Sequence, residues 1–287
     1  MQKPIVVGSV AYDPKIVTIW DIIRDYFNDN GVRLDYVLFS NYEAQIEYLL
    51  SGKIDIAWNT NVAWVRTYEL SNHKAQALLM RDTDIDFKSV FITKAKSGIK
   101  SVQDLKGKKF GLGSADSAQA AILPLKYLQN DLGESIKDVE IVKFNSDLGK
   151  HGDTGRSEFD VLEAIKNDKL DAGAIGISTW VRVLEEGLFP AGEIESFYTS
   201  DGYCHCNFTA LNSLDEKVKK TFVDMMLSQD PNEPIIKKMM QMEGLNKWVV
   251  TTSEELKGYD VLTQAMFEQD LMKNNWQEIS ILKRYLF

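Results

Sequence analysis

The sequence predicts an α/β protein with two lobes, each a mostly parallel sheet flanked by helices. Strand and helix patterns alternate almost throughout the chain, which is typical of parallel βαβ units. The segment 51–59 (SGKIDIAWN) also returns in altered form at 167–175 (NDKLDAGAI). Each copy follows an amphipathic helix and predicts a tight helix end, a short buried strand and a polar turn into another helix. The chain is therefore expected to build the same unit twice, once in each lobe, with a cleft between the lobes.

The first half carries five strand patterns and three helix patterns. The strands are predicted at 5–10, 34–39, 54–58, 75–80 and 89–93. The helices are predicted at 16–28, 42–50 and 61–70. Pro14 precedes the first helix and Gly31 follows it, positions that these residues favour.

The pattern restarts near residue 101 with a capped helical turn at 101–105. Further strands are predicted at 109–112, 138–143 and 172–176, helices at 118–130 and 158–167, and a mostly helical segment from 215 onward. Crossings between the lobes are predicted near 91–96 and 195–199. The first lobe would then comprise 1–92 plus 199–287 and the second 93–198, and two crossing segments form a hinge.

Composition restricts the function classes. A chain of 287 residues with 44% hydrophobic and 26% charged residues is an ordinary globular protein of two domains or one large domain. Its net charge of -9 argues against a nucleic-acid partner, because phosphate contacts need clustered lysine and arginine. A small anion remains compatible, since the charge of a site is local. The sequence contains neither an apolar run of about 18 residues nor a signal-peptide pattern at its start.

The segment 109–119 (KFGLGSADSAQ) is the strongest candidate for a ligand site. A strand ends in glycine, and small polar residues then open a helix whose free N–H groups and positive dipole end favour an anion. The candidate ligand contacts are Ser114, Asp116, Ser117 and Gln119. Plain N-capping of the helix is the structural alternative.

A second candidate is 151–158 (HGDTGRSE), a glycine-spaced polar turn before a helix. Arg156 can clamp an oxyanion with two hydrogen bonds. Asp153 and Glu158 are acceptors that suit a ligand offering protons or an amine, and Thr154 and Ser157 belong to the same turn. The alternative is a solvated loop with Ser157 as the helix cap.

The first lobe contributes the turns at Tyr12 and at Asn59, Thr60 and Asn61, which are expected to face the same cleft. Tyr42 opens a helix beside them, with core packing as the alternative role.

Cys204 and His205 lie in the motif 203–206 (YCHC). This motif can bind a soft metal or a thiophilic oxyanion. A closed zinc site needs four ligands, however, and the chain has only three histidines, so no metal is predicted. No other cofactor is predicted either. Cys204 and Cys206 are too close in the chain to pair readily with each other, so no disulfide is predicted. Burial of the cysteines as small apolar side chains is the alternative.

Catalysis has little support, because the sequence contains no nucleophile elbow, Walker loop or dinucleotide fingerprint. No enzyme is predicted. The enzyme alternative would place Cys204, His205 and Glu158 as reactive groups.

Several segments resemble the phosphonate-binding family of solute-binding proteins, which serve ABC transporters for phosphate, phosphite and phosphonates. The resemblance rests on 104–110 (DLKGKKF), on 113–124 and on the repeated strands at Asp55 and Asp171. It implies the type II periplasmic-binding-protein fold.

By position, the family's Ser-Thr-Ser anion turn falls on Ser117, Ala118 and Gln119, so two hydroxyls are missing. Its ligand-lining tyrosine falls on Tyr42, which matches. Its His-Asp turn falls on Ser157 and Glu158, and its Ser-Pro crossing is replaced by 202–205 (GYCH).

The resemblance implies a substrate-binding component of an ABC importer that closes on a small, polar, oxyanionic ligand. The expected partners are that ligand and an ABC permease or membrane sensor, with the protein itself a monomer. We expect a periplasmic or membrane-associated extracytoplasmic protein whose leader is absent from this sequence, and a cytoplasmic location stays open. The alternatives are a ligand-sensing module or a precursor-metabolising enzyme on the same fold, with a non-phosphorus ligand.

Overall fold

Eleven strands and ten α-helices make up the part of the chain that the computed structural model describes, residues 3–190 and 192–272. The strands are β1 (Ile5–Val10), β2 (Leu34–Phe39), β3 (Ile56–Asn59), β4 (Ala75–Arg81), β5 (Ser89–Lys94), β6 (Lys109–Leu112), β7 (Glu140–Lys143), β8 (Ala172–Gly176), β9 (Ile194–Thr199), β10 (Asn207–Leu211) and β11 (Trp248–Val250). The helices are α1 (Lys15–Asp29), α2 (Tyr42–Leu50), α3 (Asn61–Leu70), α4 (Leu123–Leu132), α5 (Arg156–Lys166), α6 (Ile177–Glu185), α7 (Glu216–Leu227), α8 (Pro234–Glu243), α9 (Ser253–Lys257) and α10 (Asp260–Glu268). None of these helices is long and apolar enough to cross a membrane.

The strands form two separate sheets, one in each lobe. The first has the order β11-β4-β10-β3-β1-β2 and the second the order β7-β6-β8-β5-β9. Both are mixed rather than mostly parallel: β1 pairs parallel with β2 and β3, and β6 parallel with β7 and β8, whereas β10 and β5 pair antiparallel with their neighbours. The antiparallel strands β5 and β10 are those that follow the two passages of the chain between the sheets.

The repeated segment makes the same contacts in both lobes. The Asp55 carboxylate accepts a hydrogen bond from the Val6 amide at 2.9 Å, and the Asp171 carboxylate accepts one from the Lys109 amide at 2.8 Å. The apolar residue before each aspartate packs against a strand glycine: a Cβ on Gly111 would lie 2.4 Å from Leu170 Cδ1. The sequence repeat is therefore a structural repeat.

The chain passes between the sheets at 82–88 and at 200–206. Both passages differ from the predicted crossings by several residues. All of β5 pairs with β8 and β9, so residues 89–92, which the predicted boundary assigns to the first lobe, lie in the second sheet. The segment 195–199, which was predicted as a crossing, belongs to strand β9. Polar and apolar residues alternate along β9 because it lies at the edge of the sheet, and this alternation resembles a polar connector in the sequence.

Apolar packing ties the lobes together on one side. A buried cluster joins residues of the first lobe, such as Val65, to Ile122 and Leu123 of the second. Helix α10 contributes Leu262 and Met266 to the same cluster. The Gln269 side chain just after α10 donates to the Ile122 carbonyl at 2.8 Å. Opening of the cleft must therefore occur on the opposite side.

Candidate functional site

A cleft of about 830 Å³ lies between the lobes and is lined by side chains from both. Its volume is that of a typical small-molecule site. From the first lobe come Tyr12, Lys15, Trp58, Arg81 and Glu243, from the second Gln119, Gly152, Asp153, Glu158 and Thr179, and from the two crossings Phe87, His205 and Cys206.

The helix that follows β6 starts as a π-helical turn, Ala118–Ile122, before α4. Ser117 caps it: its hydroxyl accepts from the Ala120 amide at 3.2 Å. The amides of Ala118 and Gln119 open the turn, where helix geometry leaves N–H groups without intrahelical acceptors. Gln119 reaches the cleft, whereas Ser117 is fully buried behind it.

Gln119 connects a carboxylate to an imidazole. Its Nε2 donates to Glu158 Oε1 at 3.2 Å, and the Gly176 amide donates to Glu158 Oε2 at 2.9 Å. Gln119 Oε1 therefore faces His205 Nε2, 3.4 Å away, and the His205 ring stacks on Phe87 with centroids 4.4 Å apart. Burial raises the pKa of Glu158, since water no longer stabilises its charge.

Loop 145–155 of the second lobe docks on helix α2 of the first. The Tyr42 hydroxyl donates to the Asp153 carboxylate, and the Tyr42 amide donates to the Gly149 carbonyl at 3.1 Å. The His151 ring stacks on Tyr42 at 4.6 Å, and its Nδ1 lies 2.7 Å from the Thr60 hydroxyl. These contacts join the lobes across the cleft opening, so the structure is a closed one.

The first-lobe wall is built around Arg81. Its Nε and Nη2 donate to Asp84 at 2.7 and 2.8 Å, and its Nη1 donates to the Glu243 carbonyl at 2.7 Å. The Tyr12 hydroxyl donates to the Glu243 carboxylate at 3.3 Å. Burial alone would raise the pKa of Asp84, but the Arg81 guanidinium holds it well below its usual range.

Acidic groups outnumber basic ones along the cleft. Burial raises the pKa of Asp153 and that of Glu243, as it does for Glu158. The basic side chains on the same surface are Lys15 and Arg81. The cleft can therefore offer donors to an oxyanion and, beside them, acceptors to a group that carries protons or positive charge.

Five of the residues predicted from the sequence line this cleft: Tyr12, Gln119, Asp153, Glu158 and His205. Tyr42 and Thr60 hold loop 145–155, as described above. Most of the others serve the scaffold. Asn59 donates to the Thr209 hydroxyl at 3.0 Å, Asn61 donates to the Cys204 carbonyl at 3.2 Å, and Ser157 is fully buried.

The remaining polar candidates stabilise loop 145–155 from within the second lobe. Ser114 donates to the Asp147 carboxylate, and Thr154 donates to the same carboxylate at 2.8 Å. Asp116 accepts from the Gly149 amide at 2.6 Å.

Two candidates point away from the cleft, which corrects the sequence-based interpretation of their roles. The Arg156 side chain is 72% exposed and pairs with Asp160 one turn further along α5, because the first residue of that helix faces solvent. The Cys204 thiol donates to the Glu255 carbonyl at 3.1 Å on the α9 side. We leave both out of the proposed site.

Sequence reasoning missed Arg81, Asp84 and Glu243, and of the motif 203–206 it selected Cys204 rather than Cys206, which lines the cleft. Arg81 ends strand β4, and a helical turn of three residues that ends in Asp84 follows it. This is the same pattern, polar residues at the end of a strand, that indicated the other candidates, so it could have indicated Arg81 and Asp84. Glu243 closes helix α8, and no local pattern connects it to Arg81, which lies 162 residues away in the chain.

The family model for periplasmic substrate-binding proteins of phosphonate ABC transporters matches residues 6–256. The chain belongs to this family. Members are substrate-binding components of transporters rather than enzymes, and they act with a small-molecule ligand and a membrane permease.

The chain is similar to a probable ABC transporter phosphite-binding protein, PhnD1, from Prochlorococcus marinus strain MIT 9301. The two are 22% identical over 245 residues, which covers 82% of this chain and 79% of the relative. The structure of that PhnD1 with methylphosphonate superposes with a TM-score of 0.72 at 19% identity, covering 93% of this chain and 98% of the other. XAC2383 from Xanthomonas citri bound to ATP gives a TM-score of 0.73 at 15% identity, covering 95% and 100%. These superpositions confirm the type II fold.

Replacing Gly152 by alanine should loosen loop 145–155. Gly152 has φ of +83°, and a Cβ there would lie 2.4 Å from Ser117 Oγ and 2.8 Å from Gln119 Nε2. The loop must then shift away from Ser117 and Gln119, which disturbs the position of Gly149 against Tyr42. We expect the Tyr42 amide, which donates to the Gly149 carbonyl, to exchange with deuterium at least about tenfold faster, as the loss of about 1.4 kcal/mol implies. Hydrogen–deuterium exchange with mass spectrometry measures this.

Gly31→Ala is the matched control. Gly31 has φ of +79° with nothing within 4 Å of a Cβ, so it carries the same backbone strain without the clash. Equal exchange of Tyr42 in both variants would contradict the account of the loop.

Glu158→Gln should change the pH dependence of stability. Because burial raises the pKa of Glu158, the folded protein holds that proton above pH of about 4.3, where the unfolded chain releases it. The wild-type carboxyl therefore destabilises the fold progressively as pH rises. We expect the free energy of unfolding of Glu158→Gln, minus that of the wild type, to increase between pH 4 and pH 7 in urea titrations.

Glu134→Gln is the control, since that side chain is 98% exposed. A difference for Glu158→Gln that is flat with pH, or that decreases, would show that burial does not disfavour the charged form.

Proposed function

We propose that the cleft binds a small phosphorus oxyanion that carries an organic substituent with a proton donor or a positive charge. The observation that carries the proposal is the meeting of Arg81 with Asp153, Glu158 and Glu243 on one closed cleft. An arginine and an amide favour an oxyanion. Two buried carboxyl groups, Glu158 and Glu243, and the half-buried Asp153 disfavour a ligand that is only an anion, and favour one that also offers N–H or O–H groups.

The oxyanion end is assigned to the region between Arg81 and Gln119. A guanidinium has five N–H groups, and three of those of Arg81 are directed at Asp84 and at the Glu243 carbonyl. The other two are the donors that we assign to the oxyanion. The substituent would then extend toward Asp153 and toward Tyr12. A bare phosphate would fill only a small part of about 830 Å³.

Binding is proposed to couple to closure of the two lobes. The passages at 82–88 and 200–206 would act as the hinge, and loop 145–155 would close on Tyr42. One copy of the chain supplies both walls of the cleft, which supports a monomer as the acting unit. The family's location and role support an extracytoplasmic protein that delivers its ligand to a permease.

The test is isothermal titration with phosphate, phosphite, methylphosphonate, 2-aminoethylphosphonate, sulfate and ethanolamine. We expect the aminophosphonate to bind most tightly, because it offers both an oxyanion and an ammonium group. Tyr42→Phe should weaken that binding about tenfold, since it removes the hydrogen bond to Asp153 that holds the closed lobes, equivalent to about 1.4 kcal/mol.

Tyr36→Phe is the matched control, because it also removes a tyrosine hydroxyl that donates to an aspartate, Asp21 at 2.8 Å, far from the cleft. Its affinity should equal that of the wild type. Tightest binding of a bare oxyanion, or binding of ethanolamine alone, would contradict the proposed ligand class.

A further inference from the structure

Three metal-ligating side chains meet at the floor of the cleft. Asp84, His205 and Cys206 are all buried, and one ligand atom from each lies within 4.8 Å of the other two. His205 Nδ1 is 3.0 Å from Cys206 Sγ and 3.5 Å from Asp84 Oδ1. The Cys-His-Cys motif is thus divided, because Cys204 turns toward α9 and only Cys206 faces the imidazole.

We propose that Asp84, His205 and Cys206 form a binding site for a zinc-type divalent cation, with one coordination position open to the cleft. A thiolate, an imidazole and a carboxylate together suit Zn²⁺ or Co²⁺ and do not suit Mg²⁺ or Ca²⁺. His205 and Cys206 both line the cleft, so the fourth position is accessible to water or to a ligand.

The two separations that involve His205 are close to those around a tetrahedral ion. Typical zinc bond lengths place a coordinating nitrogen and oxygen about 3.4 Å apart, and a nitrogen and sulfur about 3.6 Å apart. The His205–Asp84 separation of 3.5 Å already matches. The Cys206 sulfur needs to move by only about half an ångström from its present 3.0 Å.

The groups behind the three ligands are arranged as they are around protein metal sites. A metal-bound histidine donates its other ring N–H to an oxygen, which fixes its tautomer. Gln119 Nε2 is directed at the Glu158 carboxylate, so Gln119 Oε1 is the acceptor that faces His205 Nε2. That contact favours the tautomer with the proton on Nε2, in which the Nδ1 lone pair is directed toward Asp84 and Cys206.

Arg81 also keeps Asp84 in position. Arg81 holds the carboxylate with two hydrogen bonds, and each carboxylate oxygen has a second lone pair. The added positive charge is balanced nearby, because Asp153 and Glu243 line the same cleft.

The experiment uses the full chain after treatment with a chelator and dialysis. Titration with Co²⁺ should give one equivalent of tetrahedral cobalt with a thiolate-to-cobalt charge-transfer band, and Zn²⁺ should displace it. A hundredfold excess of Mg²⁺ should not. This readout needs no phosphorus ligand, so its failure is distinguishable from failure of the proposed function.

Cys206→Ser and His205→Gln should each lose the charge-transfer band or weaken Co²⁺ binding by more than tenfold, with thermal unfolding checking that they fold. Cys204→Ser is the matched control and should behave like the wild type. Absence of Co²⁺ and Zn²⁺ binding in the wild type would overturn the proposal and leave a thiol–imidazole hydrogen bond. A band that survives Cys206→Ser and disappears in Cys204→Ser would also overturn it.

Discussion

The docking of loop 145–155 on Tyr42 is the contact on which the shape of the cleft depends. The Tyr42 hydroxyl donates to Asp153, the Tyr42 amide donates to the Gly149 carbonyl, and the His151 imidazole stacks on the Tyr42 ring. On the other side of the molecule, α10 and its neighbours pack continuously against both lobes. With one side tied by apolar packing, the polar contacts at Tyr42 decide whether the cleft is open or closed. They are also weak enough individually to separate, which binding and release require.

Closure leaves acidic groups poorly hydrated, and this sets the chemistry of the site. A buried carboxyl needs hydrogen bonds or a partner charge, and the protein supplies only part of this. Arg81 neutralises Asp84, and Gln119 with the Gly176 amide satisfies Glu158. Asp153 and Glu243 receive one tyrosine hydroxyl each. A ligand with N–H or O–H groups would supply the remaining hydrogen bonds to the carboxyl groups of Asp153 and Glu243. The charge pattern therefore favours a zwitterion over a simple anion.

The fold could be predicted in large part from the sequence, because periodicity and turn residues act locally. The bounds of β1, β2, α2, α3, β6 and β8 were predicted as the structure has them, and the repeat at Asp55 and Asp171 indicated the two lobes. The strands β9, β10 and β11 were missed, since β9 and β11 are sheet edges and β10 pairs with β3 and β4, which lie far from it in the chain. The site was predicted only where its residues lie in or directly beside polar turns, as Asp153 in the loop and Glu158 in the first turn of α5 do. Arg81 and Glu243 meet through a hydrogen bond between residues 162 positions apart in the chain, which no local pattern encodes.

A crystal structure with 2-aminoethylphosphonate would show directly whether this cleft binds an aminophosphonate. We expect the ligand inside the closed cleft, with phosphonate oxygens within hydrogen-bond distance of Arg81 or Gln119. The ammonium group should lie within reach of Asp153, Glu158 or Glu243. Loop 145–155 should remain docked on Tyr42. A phosphonate group seated elsewhere, or an ammonium group that contacts none of these carboxyl groups, would contradict this expectation.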